Sequence, residues 1–420
     1  MHYFQYSEDK LFCENVPVQK IADSVGTPFY LYSRRTFVRH YRRLDQAFAG
    51  TDHLICFAIK ANPNIALCRV LSREGAGAEV VSGGELYRAL RAGVPNERIV
   101  FNGNGKTAAE LEYGLESRIL MFCVDSELEL ELLNDVAGRA GGKAPIAVRV
   151  NPDVPVETHP HVATGLRESK FGLALDRAMR CYDFAASADN LEVVGIHAHI
   201  GSQLLELGPF RDVVSRLAQA VGELKENRIA VRYIDLGGGL GITYSDEVPP
   251  SYEDYAAMVS EYARGLGCVV VMEPGRSLIG NAGILVTKVL YVKQSEVKTF
   301  VVVDAAMNDL IRPSLYGAYH EIIPVTKRDS AGPTMRADVV GGICESGDFL
   351  ARDRELPRME AGDLLAVMSA GAYGAAMSST YNSRPLIPEV LVSEDTFKVI
   401  RRRPSYEDMI ALELTGEEVG

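Results

Sequence analysis

No C-x-x-C pair occurs in this chain, no basic run stands out except Arg401-Arg-Arg403, and no apolar stretch is long enough to cross a bilayer. Each absence removes a class of function. The seven cysteines, Cys13, Cys56, Cys68, Cys123, Cys181, Cys268 and Cys344, are scattered and odd in number, which argues against a disulfide framework and a zinc–cysteine site. With 44 basic against 56 acidic side chains the net charge is -12, so neither nucleic acid nor an anionic membrane is expected as a partner. The opening Met-His-Tyr-Phe-Gln-Tyr-Ser-Glu-Asp-Lys is too polar for a signal peptide. A cytoplasmic protein is the expectation.

The hydrophobic content, 47% of 420 residues, is ordinary for a globular protein, and the length exceeds what one core usually serves, so two domains are expected. From His53 to Arg276 strand-like and helix-like segments alternate. Eight runs rich in Val and Ile read as strands buried on both faces: His53–Lys60, Ala78–Ser82, Ile99–Gly103, Ile119–Val124, Ile146–Asn151, Leu191–Ile200, Val231–Asp235 and Cys268–Glu273. Helical candidates lie between them, such as Asn64–Glu74, Gly84–Arg91, Thr107–Glu116, Glu127–Ala140 and Phe210–Lys225. Eight strands predict a (β/α)8 TIM barrel, with a doubly wound open sheet as the competing architecture. After Arg276 the texture changes to short β-rich runs, including Ile284–Lys293, Thr299–Asp304, Ala337–Cys344, Asp363–Met368 and Glu389–Ser393, which predict a separate all-β domain. The expected division is residues 1–35 as N-terminal strands joining the β domain, 36–278 as the barrel, and 279–420 as a β-sandwich or barrel-like domain.

Chemistry-bearing residues gather at the ends of the predicted strands, where a barrel keeps its active site. Lys60 ends the first strand among apolar neighbours, and partial desolvation there would make its amine a usable Schiff-base nucleophile. Asp235-Leu-Gly-Gly-Gly-Leu-Gly241 and Glu273-Pro-Gly-Arg276 close strands seven and eight, the loops where barrels commonly bind phosphate. His197 and His199 share one face of strand six by the period of two. Three readings exist for them: a metal pair, a ring stacked on a flat cofactor, or two hydrogen-bonded core histidines. Stacking is favoured and no metal is expected, because the other strand ends hold Lys60, Ser82, Asn102, Asn151 and Glu273 rather than further His or Asp ligands. His159-Pro-His161 lies in an apparent loop. Glu273 is either a structural carboxylate paired with Arg149 or an anion that holds a proton on a pyridine nitrogen. Lysine, phosphate loops, stacking ring and carboxylate together describe a pyridoxal phosphate pocket.

Phe57-Ala-Ile-Lys-Ala-Asn62, Glu79-Val-Val-Ser-Gly-Gly-Glu-Leu86, His199-Ile-Gly-Ser-Gln203, Gly237-Gly-Gly-Leu-Gly241 and Glu273-Pro-Gly-Arg276 resemble the barrel motifs of the alanine racemase-like, fold type III pyridoxal phosphate decarboxylases. In the second domain Asn308-Asp-Leu-Ile-Arg-Pro-Ser-Leu-Tyr316, Cys344-Glu-Ser-Gly-Asp348, Ser369-Ala-Gly-Ala-Tyr373 and Tyr381-Asn-Ser-Arg384 are similar to the diaminopimelate decarboxylase family in particular. Two small departures, Gly342 where proline is common and Leu386 where a basic residue often stands, do not touch the expected chemistry.

The resemblance implies pyridoxal 5'-phosphate as cofactor, attached at Lys60. His199 would stack on its ring, and Glu273 would face the ring nitrogen. Ser202, Gly238, Gly239 and the segment Glu273, Pro274, Gly275 and Arg276 would hold the phosphate, with Tyr373 also on the cofactor. Arg276, Arg312, Tyr316, Glu345 and Tyr373 would bind the substrate, meso-diaminopimelate, whose far end carries both an ammonium and a carboxylate. Arginine suits the carboxylate and Glu345 the ammonium. The same resemblance implies a homodimer with shared active sites, Cys344 and Glu345 reaching the neighbouring subunit, and loss of CO2 to give L-lysine with Cys344 or Lys60 returning the proton. The competing functions are decarboxylation of ornithine, arginine, carboxynorspermidine or a carrier-bound glutamyl group, a metal-dependent barrel hydrolase, and a protein that merely stores the cofactor.

Overall fold

The structure, a computed structural model, describes residues 2–155, 170–328 and 332–413. His159-Pro-His161 lies outside the described residues. The chain divides into two compact units, residues 38–279 and residues 1–37 together with 280–420.

In the first unit eight strands pair in parallel and close on themselves: His53–Ala58, Gly77–Val80, Ile99–Phe101, Met121–Val124, Ala144–Arg149, Leu191–His197, Tyr233–Asp235 and Val269–Met272. Val270 opposite His53 closes the ring, which excludes the open doubly wound sheet. The strands run shorter than the sequence patterns suggest because the polar residues at their carboxyl ends leave the ladder to line a cavity. Helices return the chain between strands, and their boundaries follow local chemistry. The side chains of Ser82 and Ser126 accept the Glu85 and Glu129 amides at two helix starts, Thr107 and Glu110 form a reciprocal capping box, and Gly93 and Gly141 end helices in the left-handed conformation.

The barrel interior is layered by the period of two along each strand. Leu54, Cys56, Val100, Met121, Cys123, Ala147, Val194 and Val271 form a dry cluster. Two positions further on, Val100 gives way to Asn102, Cys123 to Asp125, Ala147 to Arg149 and Val271 to Glu273, all buried. A polar layer therefore rests on the apolar one at the carboxyl ends of the strands.

The second unit is built on a nine-stranded sheet. Phe29–Ser33, all five residues buried, pairs antiparallel with Gly283–Gln294 and parallel with Glu389–Ser393. Its core includes Phe4, Leu11, Ile21, Phe29, Leu31, Ile284, Val286, Ala366 and Val390. Two features differ from the sequence patterns. The strand expected over Ala337–Cys344 runs over Thr334–Val340, because Asp348 accepts the Ile343 and Met307 amides and turns the chain before Cys344. Ala351–Pro357 is a strand despite its alternating charges, which suit the end of a sheet where only one side is paired. Among the described residues no helix is long and apolar enough to cross a membrane.

Candidate active site

Lys60 stands on a single 3-10 turn, Ile59–Ala61, directly after the first barrel strand. Its side chain is 37% exposed, and its nearest partner is an anion. Nζ donates to both carboxylate oxygens of Glu79 at 2.7 Å, because Ala58 pairs with Glu79 on the neighbouring strand and the turn swings Lys60 over that residue. Glu79 is fully buried; burial pushes its carboxyl up against the opposing pull of Lys60.

Asn102 ties this pair to Glu273. Its amide donates to Glu79 Oε1 at 3.3 Å and to Glu273 Oε1 at 2.5 Å. The loop that follows is pinned by buried Lys106, whose ammonium donates to the Gly103 and Cys123 carbonyls and to Glu129 at 2.6, 2.7 and 2.5 Å. Glu273 does not pair with Arg149, the structural role considered for it. Arg149 lies 3.8 Å from Asp125 and over the Phe171 ring, whereas Glu273 Oε2 lies 3.6 Å from His197 Nε2.

Two carboxyl groups share this buried corner with different protonation. Burial and the charge of Glu273 push Asp235 well above the usual carboxylate range. Burial would raise Glu273 as well, yet His197 and Lys60 outweigh it and hold the group down at about 2. Within the pair the surroundings favour the proton on Asp235 and the charge on Glu273. His197, Asp235 and Glu273 bring donor atoms within 4.8 Å of one another. His199, which the metal-pair reading also requires, is engaged elsewhere: it lies past the strand end, and its Nδ1 accepts the Gly238 amide at 3.2 Å. Burial, with Arg149 and Lys60 nearby, keeps the His199 ring neutral, well below the usual histidine range.

The glycine loop is shaped by close approach. A Cβ on Gly238 would stand 2.3 Å from the Glu273 carbonyl oxygen, and Gly239, at φ +123°, would bring one to 2.8 Å from that of Gly201. Only glycine fits there. The loops after strands seven and eight interlock through the Glu273 amide, which donates to the Gly237 carbonyl. Arg276, buried, donates to the Ser202 hydroxyl at 2.9 Å and to the Tyr244 hydroxyl at 2.6 Å. A cavity of about 370 Å³ is lined by Lys60, Glu79, Asn102, Arg149, His199 and Glu273 among others.

This donor set fits pyridoxal phosphate: a lysine amine, an ionised carboxylate for a ring nitrogen, a neutral imidazole for a ring face, and a backbone cradle that any side chain would fill. The structure brings Lys60, His199 and Glu273 onto one cavity. Gly238, Gly239, Pro274, Gly275, Arg276 and Ser202 lie in the adjoining strand-end loops of the same unit. Sequence reasoning passed over Glu79, Asn102 and Asp235 as participants, although each is a polar residue at the carboxyl end of an otherwise apolar strand. Nothing in the sequence marks Tyr244.

Cys344, Glu345, Arg312, Tyr316 and Tyr373 belong to the second unit. Arg312 is buried and opens a short helix, Arg312–Tyr316, that Gly317 ends in the left-handed conformation. Its NH1 meets His320 Nε2 at 3.0 Å. Cys344 and Glu345 are exposed, and the Cys344 amide donates to Asn382 Oδ1 at 2.8 Å. Tyr373, with Ser369, Asn382 and Ser383, has a positive φ; such strain in non-glycine residues gathers at functional sites.

Residues 34–280 match the family described as "Pyridoxal-dependent decarboxylase, pyridoxal binding domain". The diaminopimelate decarboxylase of Aquifex aeolicus is 48% identical over 97% of this chain and 96% of its own. That of Pseudomonas aeruginosa is 49% identical over 98% of both. The crystal structure of Helicobacter pylori diaminopimelate decarboxylase complexed with L-lysine superposes with a TM-score of 0.91 at 40% identity, covering 94% of this chain and 98% of that one.

Proposed function

The chain belongs to the diaminopimelate decarboxylase family, and we propose on that premise that it removes CO2 from the D-configured centre of meso-2,6-diaminopimelate to give L-lysine. The observation that carries the reading is the continuous polar chain from Lys60 through Glu79 and Asn102 to Glu273. It sets an amine and an ionised carboxylate on one cavity, the two groups that pyridoxal phosphate calls for.

The bound cofactor would supply an electron sink for the pair released with CO2. Lys60 would anchor it through its amine, and Glu79 would hold the lysine ammonium whenever that amine is free. Glu273, kept anionic, retains a proton at the ring nitrogen. His199, kept neutral, covers a ring face without adding charge. Gly238 and Gly239, with Ser202 and the segment from Pro274 to Arg276, bind the phosphate.

Arg276, Arg312, Tyr316, Glu345 and Tyr373 are the groups for the substrate. A carboxylate and an ammonium at its distal end call for an arginine and an acid together, and a buried arginine left without its anion by ornithine or lysine disfavours those substrates. Cys344 or Lys60 returns the proton to Cα. Of the seven cysteines six are buried and Cys344 is exposed, which supports a chemical role and, with exposed Glu345, a homodimer whose subunits complete one another's sites. A cytoplasmic location accords with the acidic charge and unbridged thiols.

The test is release of CO2 and amine from meso-diaminopimelate, L-ornithine, L-arginine and L-lysine by the protein supplied with pyridoxal phosphate. L-lysine formed from meso-diaminopimelate alone, in step with CO2, is the expected result. A protein that binds the cofactor at Lys60 yet leaves that compound untouched would overturn the substrate assignment.

A further inference from the structure

The loop that presents Cys344 and Glu345 holds three successive backbone amides in three different ways. The Ile343 amide donates to Asp348 Oδ2 at 2.7 Å, within the loop itself. The Glu345 amide donates back to the Ile343 carbonyl at 2.8 Å, which makes Cys344 the central residue of a three-residue turn. The amide between them, that of Cys344, finds its partner outside the loop: Asn382 Oδ1, 38 positions further along the chain, accepts it at 2.8 Å. Asp348 also accepts the Met307 amide at 2.8 Å and donates its own amide to the Glu345 carbonyl at 3.1 Å. The base of the loop is thus fixed by Asp348 and its tip by Asn382.

The segment that carries Asn382 is itself built to hold one position. Asn382 has φ 55° and ψ 29°, the left-handed conformation that asparagine tolerates better than most side chains, and Ser383 follows at φ 54°. Both ends of the turn are tied down. The Ser379 amide donates to the Asn308 carbonyl at 2.9 Å, the Asn308 side chain donates to the Ser379 carbonyl at 3.2 Å, and Arg384 donates to the Asp304 carbonyl. Strain kept in an exposed turn, where relaxation would be easy, needs such anchors to persist. Glu345, as acceptor and as charge, also raises the Tyr381 hydroxyl above the ordinary tyrosine range, so the turn lies against both residues of the Cys344–Glu345 pair.

We propose that Asn382 is a positioning residue for the reaction, fixing the tip of the loop through the Cys344 amide so that the thiol of Cys344 and the carboxylate of Glu345 are presented in one mutual arrangement. This rests on the reading of Cys344 as a proton donor and of Glu345 as the partner of the distal ammonium. Asn382 acts through the Cys344 backbone, so its loss should appear in kcat by way of the thiol and in KM by way of the carboxylate.

The test compares Asn382→Gly, Asn382→Asp, Cys344→Ala and Glu345→Gln in the cofactor-loaded enzyme, measuring kcat and KM for meso-diaminopimelate, hydrogen exchange at the residue 344 amide, and thermal stability. Glycine adopts the left-handed conformation freely, so Asn382→Gly removes the acceptor without straining the turn. It should speed exchange at the Cys344 amide and lower kcat/KM by roughly tenfold, the scale of one hydrogen bond, with little change in Tm. Asn382→Asp keeps an acceptor oxygen and should restore protection of that amide and part of kcat/KM. If Cys344→Ala and Glu345→Gln lower kcat/KM and a folded Asn382→Gly does not, the proposal is overturned while the reading of the pair stands. If neither Cys344→Ala nor Glu345→Gln changes kcat/KM, that reading fails and the proposal with it. Should Asn382→Gly not fold, the wild-type protein decides: slow exchange at the Cys344 amide supports the proposal, and exchange at the rate of an unbonded amide refutes it.

Discussion

Lys60 Nζ sits 2.7 Å from each carboxylate oxygen of Glu79, a symmetric contact with a fully buried anion from the next strand of the barrel. The amine is therefore held in place before any cofactor arrives. Removing the anion should release it. In Glu79→Gln the lysine loses its charged partner, though at 37% side-chain exposure water takes over part of the interaction. The expected costs are roughly 1–3 kcal/mol of stability and slower attachment of added cofactor. Denaturant unfolding and stopped-flow absorbance measure the two effects, and unchanged attachment kinetics would remove Glu79 from the site.

Asn102 bridges the carboxylates of Glu79 and Glu273, and its amide N–H groups are the reason it can. Asn102→Asp replaces those donors with a third carboxylate against Glu79 and Glu273. It should lower kcat by at least about tenfold at neutral pH and do more harm than Asn102→Ala, which only deletes the bridge. Equal losses in the two variants would mean that the donors are not what matters.

Burial and the nearby charge of Glu79 push Glu85 up to about 7. A carboxyl group raised in the folded state contributes stability that is complete below its ordinary value and is lost as pH rises through about 7. Glu85→Gln keeps an acceptor for the Val81 amide, bonded at 2.9 Å in the wild type, and cannot ionise. Relative to the wild type it should gain Tm as the pH is taken from about 5 to about 8. A difference in Tm that does not vary with pH would contradict the assignment.

Gly238→Ala would drive a methyl group to 2.3 Å from the Glu273 carbonyl oxygen, whereas a Cβ at Gly208 meets nothing within 4 Å. The first variant should weaken cofactor affinity by about tenfold or more and the second should not. Titration with pyridoxal phosphate, followed by absorbance, makes the comparison, and near-equal affinities would show that the loop yields without consequence.

The eight barrel strands and the cradle glycines are visible in the chain because their causes are local. A strand buried on both faces needs an unbroken apolar run, and a backbone that passes within van der Waals reach of a carbonyl needs glycine. Lys60, His199 and Glu273 stood out for the same reason, as chemically useful residues at the ends of such runs. The motif resemblance then supplied the cofactor, and the residues that line the cavity fit it. Ala351–Pro357 escaped the pattern because a strand at the end of a sheet can be paired on one side and solvated elsewhere, so charges do not disqualify it.

What the sequence by itself determined is the architecture and the identity of the residues available for chemistry, since periodicity, caps and turn residues act over a few positions. The tertiary structure alone decided the partners. Asn102 and Glu273 are 171 residues apart along the chain and meet because the closed ring turns the carboxyl ends of strands three and eight toward one interior. Protonation follows from those meetings. Asp235 is pushed toward its protonated form and Glu273 toward its charged form because their burial is alike and their neighbours differ. A side chain's charge is set by what surrounds it in space, and that is written in no single segment of the sequence.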